Sequence, residues 1–130
     1  MTKVNLLIAK NPKEKLQLIK TVSQKLFDEG KRFTILAPNE ESLKFLNTYL
    51  WSEDLFIPHQ IANRATDEFV LLTTTAANLN KSTACINLCQ TVAPSLFEEI
   101  YDLLDHTSSD KIAQSNVKQS HYTSNCIVNT

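Results

Sequence analysis

The sequence predicts an α/β fold: a single three-layer α/β/α domain over residues 1–130 with a mostly parallel sheet. Three observations carry this. Short apolar runs of strand length alternate with longer segments whose apolar residues recur at helical spacing. That alternation calls for crossover connections, hence parallel strands covered by helices. The 130 residues, 42 % apolar and 21 % charged, match one globular domain able to bury a core without disulfides or metals.

The elements follow in order. VNLLIA at 4–9 reads as a buried strand. Asn11 and Pro12 then read as a helix cap and a first-turn proline. From 12 to 29, Leu16, Ile19, Val22, Leu26 and Phe27 mark a helix face, and Gly30 follows where a left-handed helix end favours glycine. FTILA at 33–37 is a second strand. Asn39 caps the next helix, with Glu40 and Glu41 at its positive end and Leu43, Phe45, Leu46, Tyr49, Leu50 and Trp51 along it. Residues 52–67 read as irregular. EFVLLT at 68–73 is a third strand, the polar tract 74–83 a surface loop, and ACINL at 84–88 a fourth strand. Pro94 is expected to open a helix over 94–105, with Glu98 and Glu99 in its first turn and Asp102 and Asp105 on its solvated side. The segment 106–130 is rich in Ser, Thr, Asn and Gln. It is expected to be a frayed helix, weakly anchored by Ile112 and Val117, or a partly disordered tail.

Several function classes drop out. The net charge is −1, so no basic face for direct nucleic-acid binding dominates. No apolar run approaches the ~20 residues of a membrane span, and the N-terminal run is too short and too quickly followed by Lys and Pro for a secretory signal. Three cysteines in no framework spacing fit a reducing cytoplasm. The chain has one glycine, Gly30, so neither GxGxxG nor GxxxxGK[ST] is present and a glycine-rich phosphate loop is excluded.

Candidate chemistry is sparse. His59, after Pro58, either bonds within its own loop or polarises a substrate. Cys85 and Cys89 read as small buried residues rather than a zinc pair, since a strand does not make them converge. The carboxylates Glu98, Glu99, Asp102 and Asp105 read as structural. The lysines of the first helix form either a solvated face or a surface for an acidic ligand. No cofactor is implied. The segment 46–61, LNTYLWSEDLFIPHQI, crowds Trp51, Leu55, Phe56 and Ile57 at a helix end and loop. Some of these belong to the core; a cluster of large apolar residues beside Ser52, Glu53 and Asp54 also marks a protein interface. These residues favour a binding module over an enzyme.

The run from Gly30 to Ala62 resembles the chi subunit of bacterial DNA polymerase III. That family shows Gly-Lys-Arg entering a strand, a helix ending in Leu-Trp, and then Phe-x-Pro-His; here these are Gly30, Lys31, Arg32, Leu50, Trp51, Phe56, Pro58 and His59. A second block, Ile86-Asn87-Leu88 followed by Pro94, Phe97 and EIYDLL, matches the family's strand and following helix. The agreement runs from Val4 to Asp105. Asn47 stands where the family often has Asp, and the glycine that usually follows its last helix is absent. The resemblance implies a Rossmann-like layout without a phosphate loop and a non-enzymatic role in the replicative holoenzyme. It implies a heterodimer with the clamp loader's psi subunit, with Trp51, Leu55, Phe56, Pro58 and His59 as the contact. It further implies a receptor for the acidic tail of single-stranded-DNA-binding protein, for which Lys111, Lys118 and Tyr122 are the candidates. Two alternatives stay open: a small α/β enzyme with a site near His59 and the carboxyl ends of the strands, and a chi-like adaptor for a repair helicase.

Overall fold

The computed structural model describes residues 2–52, 55, 57–125 and 127–129. Along the chain these form β1 (Lys3–Ala9), α1 (Pro12–Asp28), β2 (Phe33–Leu36), α2 (Glu40–Leu50), β3 (Gln60–Ile61), β4 (Val70–Thr73), β5 (Ala84–Asn87), β6 (Glu99–Asp105), α3 (Ser109–Asn125) and β7 (Ile127–Asn129). The strands make one seven-stranded sheet in the order β3-β4-β2-β5-β6-β1-β7, and every neighbouring pair is parallel. The α/β class and the three layers are as the sequence predicts.

Alternation of side chains along the strands sends one set to each face. On the first face, Ile19, Val22 and Leu26 of α1 and Leu43, Leu46 and Leu50 of α2 pack with Phe33, Ile35, Val70, Leu72, Ala84, Ile86 and Leu103. On the second face, Tyr122 of α3 packs with Val4, Leu6, Leu36, Cys85, Ile100 and Leu104. The caps are those expected. Asn11 Oδ1 accepts from the Glu14 amide at 2.9 Å and Asn39 Oδ1 from the Ser42 amide at 2.9 Å. Gly30, at φ +70°, ends α1 in the left-handed conformation.

The structure corrects the sequence reading in four places. The helix expected over 94–105 is absent. Residues 99–105 form β6, a central strand paired with β1 and β5. Its apolar residues divide between both faces, Tyr101 and Leu103 toward α1 and Ile100 and Leu104 toward α3. A strand apolar on both faces loses its period of two and reads like a buried helix. Its carboxylates are therefore not a solvated helix face. Glu99 accepts from Lys31 Nζ at 2.9 Å, and Asp102 is fully buried.

The segment 106–130 holds a 17-residue helix and an edge strand, and its anchors are Ser115, Lys118 and Tyr122; Ile112 and Val117 face outward. The 74–83 tract is a loop, yet not wholly a surface one. Asn80 and Ser82 are buried and hydrogen-bonded to Thr34 of β2, covering the second face where no helix lies. Within the irregular 52–67 stretch the short strand β3 extends the sheet beside β4.

Candidate functional site

At the amino edge of the sheet, α1 and α2 both end and the chain enters β4. α2 stops at Leu50 with Trp51 as its C-cap. The Ile57 amide donates to the Leu50 carbonyl at 2.7 Å, which folds the following loop back along the helix end. That turn brings Pro58 and His59 beside Trp51, whose ring lies over the imidazole with centroids 4.5 Å apart and planes tilted by 32°. From the end of α1, Phe27 meets Phe69, which precedes β4, edge to face at 6.1 Å and 88°. Between the two pairs is a shallow groove of about 460 Å³, lined by Phe27, Trp51, Pro58, His59, Glu68 and Phe69. Trp51 is 41 % exposed and Phe69 37 % exposed. Large rings left half in water around a concavity are the form of a protein-docking site, where a partner's apolar side chain removes them from solvent.

His59 is held rather than free to react. Its Nδ1 lies 2.7 Å from the Ile57 carbonyl oxygen, and its Nε2 lies 2.7 Å from Asn47 Oδ1. Burial lowers its pKa, outweighing the opposite pull of the Ile57 carbonyl. His59 thus bonds its own loop, as one of its two sequence readings has it, and it braces the Trp51 ring.

The structure brings together Trp51, Pro58 and His59 of the five expected contact residues. Leu55 is instead a core residue, 6 % exposed and packed under α2 with Ile57. Its amide donates to the Ser52 carbonyl at 3.1 Å. Phe56 lies outside the described residues, as do Glu53, Asp54 and Cys126. Phe27 and Phe69 were not singled out from the sequence, where each reads as an ordinary core position of a helix or a strand. Nothing local signals that residues 42 apart in sequence share a groove.

At the opposite, carboxyl edge lies a second, polar crevice of about 200 Å³, with Lys15, Ser42, Gln90, Asp105, Lys111 and Lys118 in its lining. Lys111 and Lys15 lie 3.5 and 3.2 Å from the Asp105 carboxylate. Burial alone would raise the Asp105 carboxyl, but the Thr107 hydroxyl and amide, with the Lys15 ammonium, outweigh it and hold the pKa at about 2. Lys118 and Tyr122 do not form an exposed rim. Lys118 is 3 % and Tyr122 1 % exposed, and both are bonded to Asp102 in the interior. They sit with Ser115 on the inner face of α3. Of the three expected tail-binding residues, Lys111 alone remains accessible in this crevice.

The two edges are separate. His59 lies at the amino edge, away from the strand carboxyl ends where open α/β sheets hold small ligands, so an enzymatic site joining the two is not assembled. The β1–α1 connection, Lys10–Asn11, contains no glycine. Cys85 is fully buried and Cys89 half-buried, both as free thiols. Burial raises both pKa values, which keeps the thiols protonated and unreactive. Among the described residues no cluster of His, Cys, Asp and Glu could hold a metal, and no helix is long and apolar enough to cross a membrane.

The family model for the DNA polymerase III chi subunit, HolC, matches residues 1–125. None of the curated proteins matches the chain.

Proposed function

The chain belongs to the DNA polymerase III chi subunit family, and from that premise we propose that it is a non-enzymatic accessory subunit of the replicative polymerase. In this reading it works in the cytoplasm as half of a heterodimer with a psi-like clamp-loader subunit. The contact is the amino-edge groove of Trp51, Pro58, His59, Phe27 and Phe69. The observation that supports it most is the half-exposed Trp51 ring, braced by His59 at 4.5 Å before any partner arrives. A preordered aromatic ring loses little freedom on docking, so its burial contributes directly to affinity. Co-expression with the psi-like subunit of the same organism and size-exclusion chromatography test it. Trp51→Ala and Phe69→Ala should each weaken the complex by about 2 kcal/mol or more, a loss of roughly thirtyfold in affinity. The circular dichroism of the free chain should stay unchanged. Retained binding in both variants rejects the groove. Capture of a repair helicase at the same surface would instead favour the adaptor role.

A second reading concerns the acidic tail of single-stranded-DNA-binding protein. The carboxyl-edge crevice supports it, since Lys15 and Lys111 expose 32 % and 43 % of their side chains there. An apolar pocket lined by Leu16, Ile19, Phe45, Leu46 and Leu88 adjoins the crevice and shares its Lys15, Pro38 and Ser42. Lys118 and Tyr122 enter this reading only by holding α3 in place. Two ammonium point charges without guanidinium forks give modest, salt-sensitive binding. Anisotropy of a labelled tail peptide should therefore report binding at low salt that Lys111→Ala diminishes; binding unaffected by Lys111→Ala excludes the crevice.

A further inference from the structure

α3 is docked unlike the other two helices. α1 buries Ile19, Val22 and Leu26, and α2 buries Leu43, Leu46 and Leu50. Among its described side chains, α3 buries Ser115, Lys118 and Tyr122, while Val117 is 71 % and Ile112 37 % exposed. Its inward residues reach polar partners on the sheet and on the loop after β5. Lys118 Nζ donates to Asp102 Oδ1 at 2.6 Å and to the Cys89 carbonyl at 2.7 Å. Tyr122 Oη donates to Asp102 Oδ2 at 2.5 Å and accepts from the Ala93 amide at 2.8 Å. Asn87 Nδ2 completes the shell of Asp102 at 2.8 Å, and Ser115 Oγ donates to the Asp105 carbonyl at 3.2 Å. Beyond α3, β7 is paired with β1 over three residues only.

Such an interface is specific in geometry and shallow in energy. A buried ion pair gains little over its lost hydration, and when the helix lifts away both charges recover water. Among the described side chains of α3, apolar burial, which sets local stability, is confined to the Tyr122 ring. We propose that α3 and β7 form a latch that opens as a unit while α1, α2 and the rest of the sheet stay folded, with Asp102, Lys118 and Tyr122 as its polar lock. Opening bares the face built from Val4, Leu6, Cys85, Ile100 and Leu104.

Cys85 is a natural reporter, because it is fully buried on that face. The experiment is labelling of Cys85 by dithionitrobenzoate in the full chain, with the other two cysteines replaced by serine. It is run across sub-denaturing urea beside global unfolding followed by Trp51 fluorescence. Labelling should depend on urea less steeply than global unfolding does, because a small part of the surface is exposed. Tyr122→Phe removes both hydrogen bonds of the hydroxyl, to Asp102 and from the Ala93 amide, and keeps the ring; it should speed labelling about tenfold or more. Ile19→Val, a mild core change on the opposite face, should lower global stability and leave labelling unchanged. Labelling with the full urea dependence of global unfolding overturns the latch. So does equal acceleration by Ile19→Val and Tyr122→Phe, or no acceleration by Tyr122→Phe.

Discussion

At His59 burial, more than any one neighbour, sets the charge. Asn47 places its Oδ1 2.7 Å from Nε2. The imidazole is buried toward the neutral form, so the folded chain resists a proton that the unfolded chain accepts near pH ~6.5. Stability from this loop is therefore present above that pH and lost as pH falls through it. Asn47→Asp puts a carboxylate beside Nε2 and should raise the His59 pKa and reduce the acid-side loss, read by NMR titration of the ring; an unchanged or lower pKa would show that position 47 does not reach the imidazole. Asp105 behaves in the opposite sense to a buried acid. Its folded pKa of about 2 is below the ordinary carboxylate value, so its contribution is full above pH ~4 and disappears as pH falls to about 2. Asp105→Asn should cost on the order of 1 kcal/mol near neutrality, after allowing for solvent screening of a partly exposed group. Urea midpoints of variant and parent should converge as the pH approaches 2. Asp102 opposes this: burial raises its pKa, outweighing Lys118, so its ionisation weakens the fold as pH rises through that value. These residue-level settings were legible only in part: Ile57 and Thr107 are local partners of His59 and Asp105, but Lys15 meets Asp105 across 90 positions and Lys118 meets Asp102 across 16, which the fold alone brings about.

Among the elements, legibility followed signal type. α1 and α2 were readable because cap, periodicity and stop agree, Asn11 and Pro12 at one end and Gly30 at the other. β6 was misread because EIYDLLD is apolar toward both faces and a proline five residues upstream imitates a helix start. α3 was underestimated because its inner face is Ser, Lys and Tyr, which hydrophobic periodicity scores as surface. Gly30 tests the stop signal directly. An added Cβ there meets nothing within 4 Å, so the whole cost of Gly30→Ala is conformational, φ being +70°. That substitution should destabilise by about 1 kcal/mol, with Gly30→Asn costing less. A neutral or stabilising Gly30→Ala in urea unfolding would contradict the assigned left-handed turn.

For the whole molecule, the fold class was legible while the site was legible only in half. The parallel sheet was implied by alternating strands and helices, and Trp51, Pro58 and His59 stand in one sequence segment. Phe27 and Phe69 complete the groove from two distant elements, which no local pattern links. The β1–α1 turn at the opposite edge contains no glycine. Calorimetry with ATP, GTP and NAD at millimolar concentration is therefore expected to show no heat of binding, and a micromolar dissociation constant would require a different phosphate-binding device.

The central claim is that the amino-edge groove is where the partner subunit docks. Amide hydrogen exchange of this chain, alone and in complex with the psi-like subunit, measures it most directly. The expected result is added protection at Trp51, His59, Ile61 and Phe69, with none at Lys111 and Gln114 of the carboxyl-edge crevice. Protection confined to the crevice, or a complex that leaves the amides around Trp51 and Phe69 exchanging as before, would contradict it.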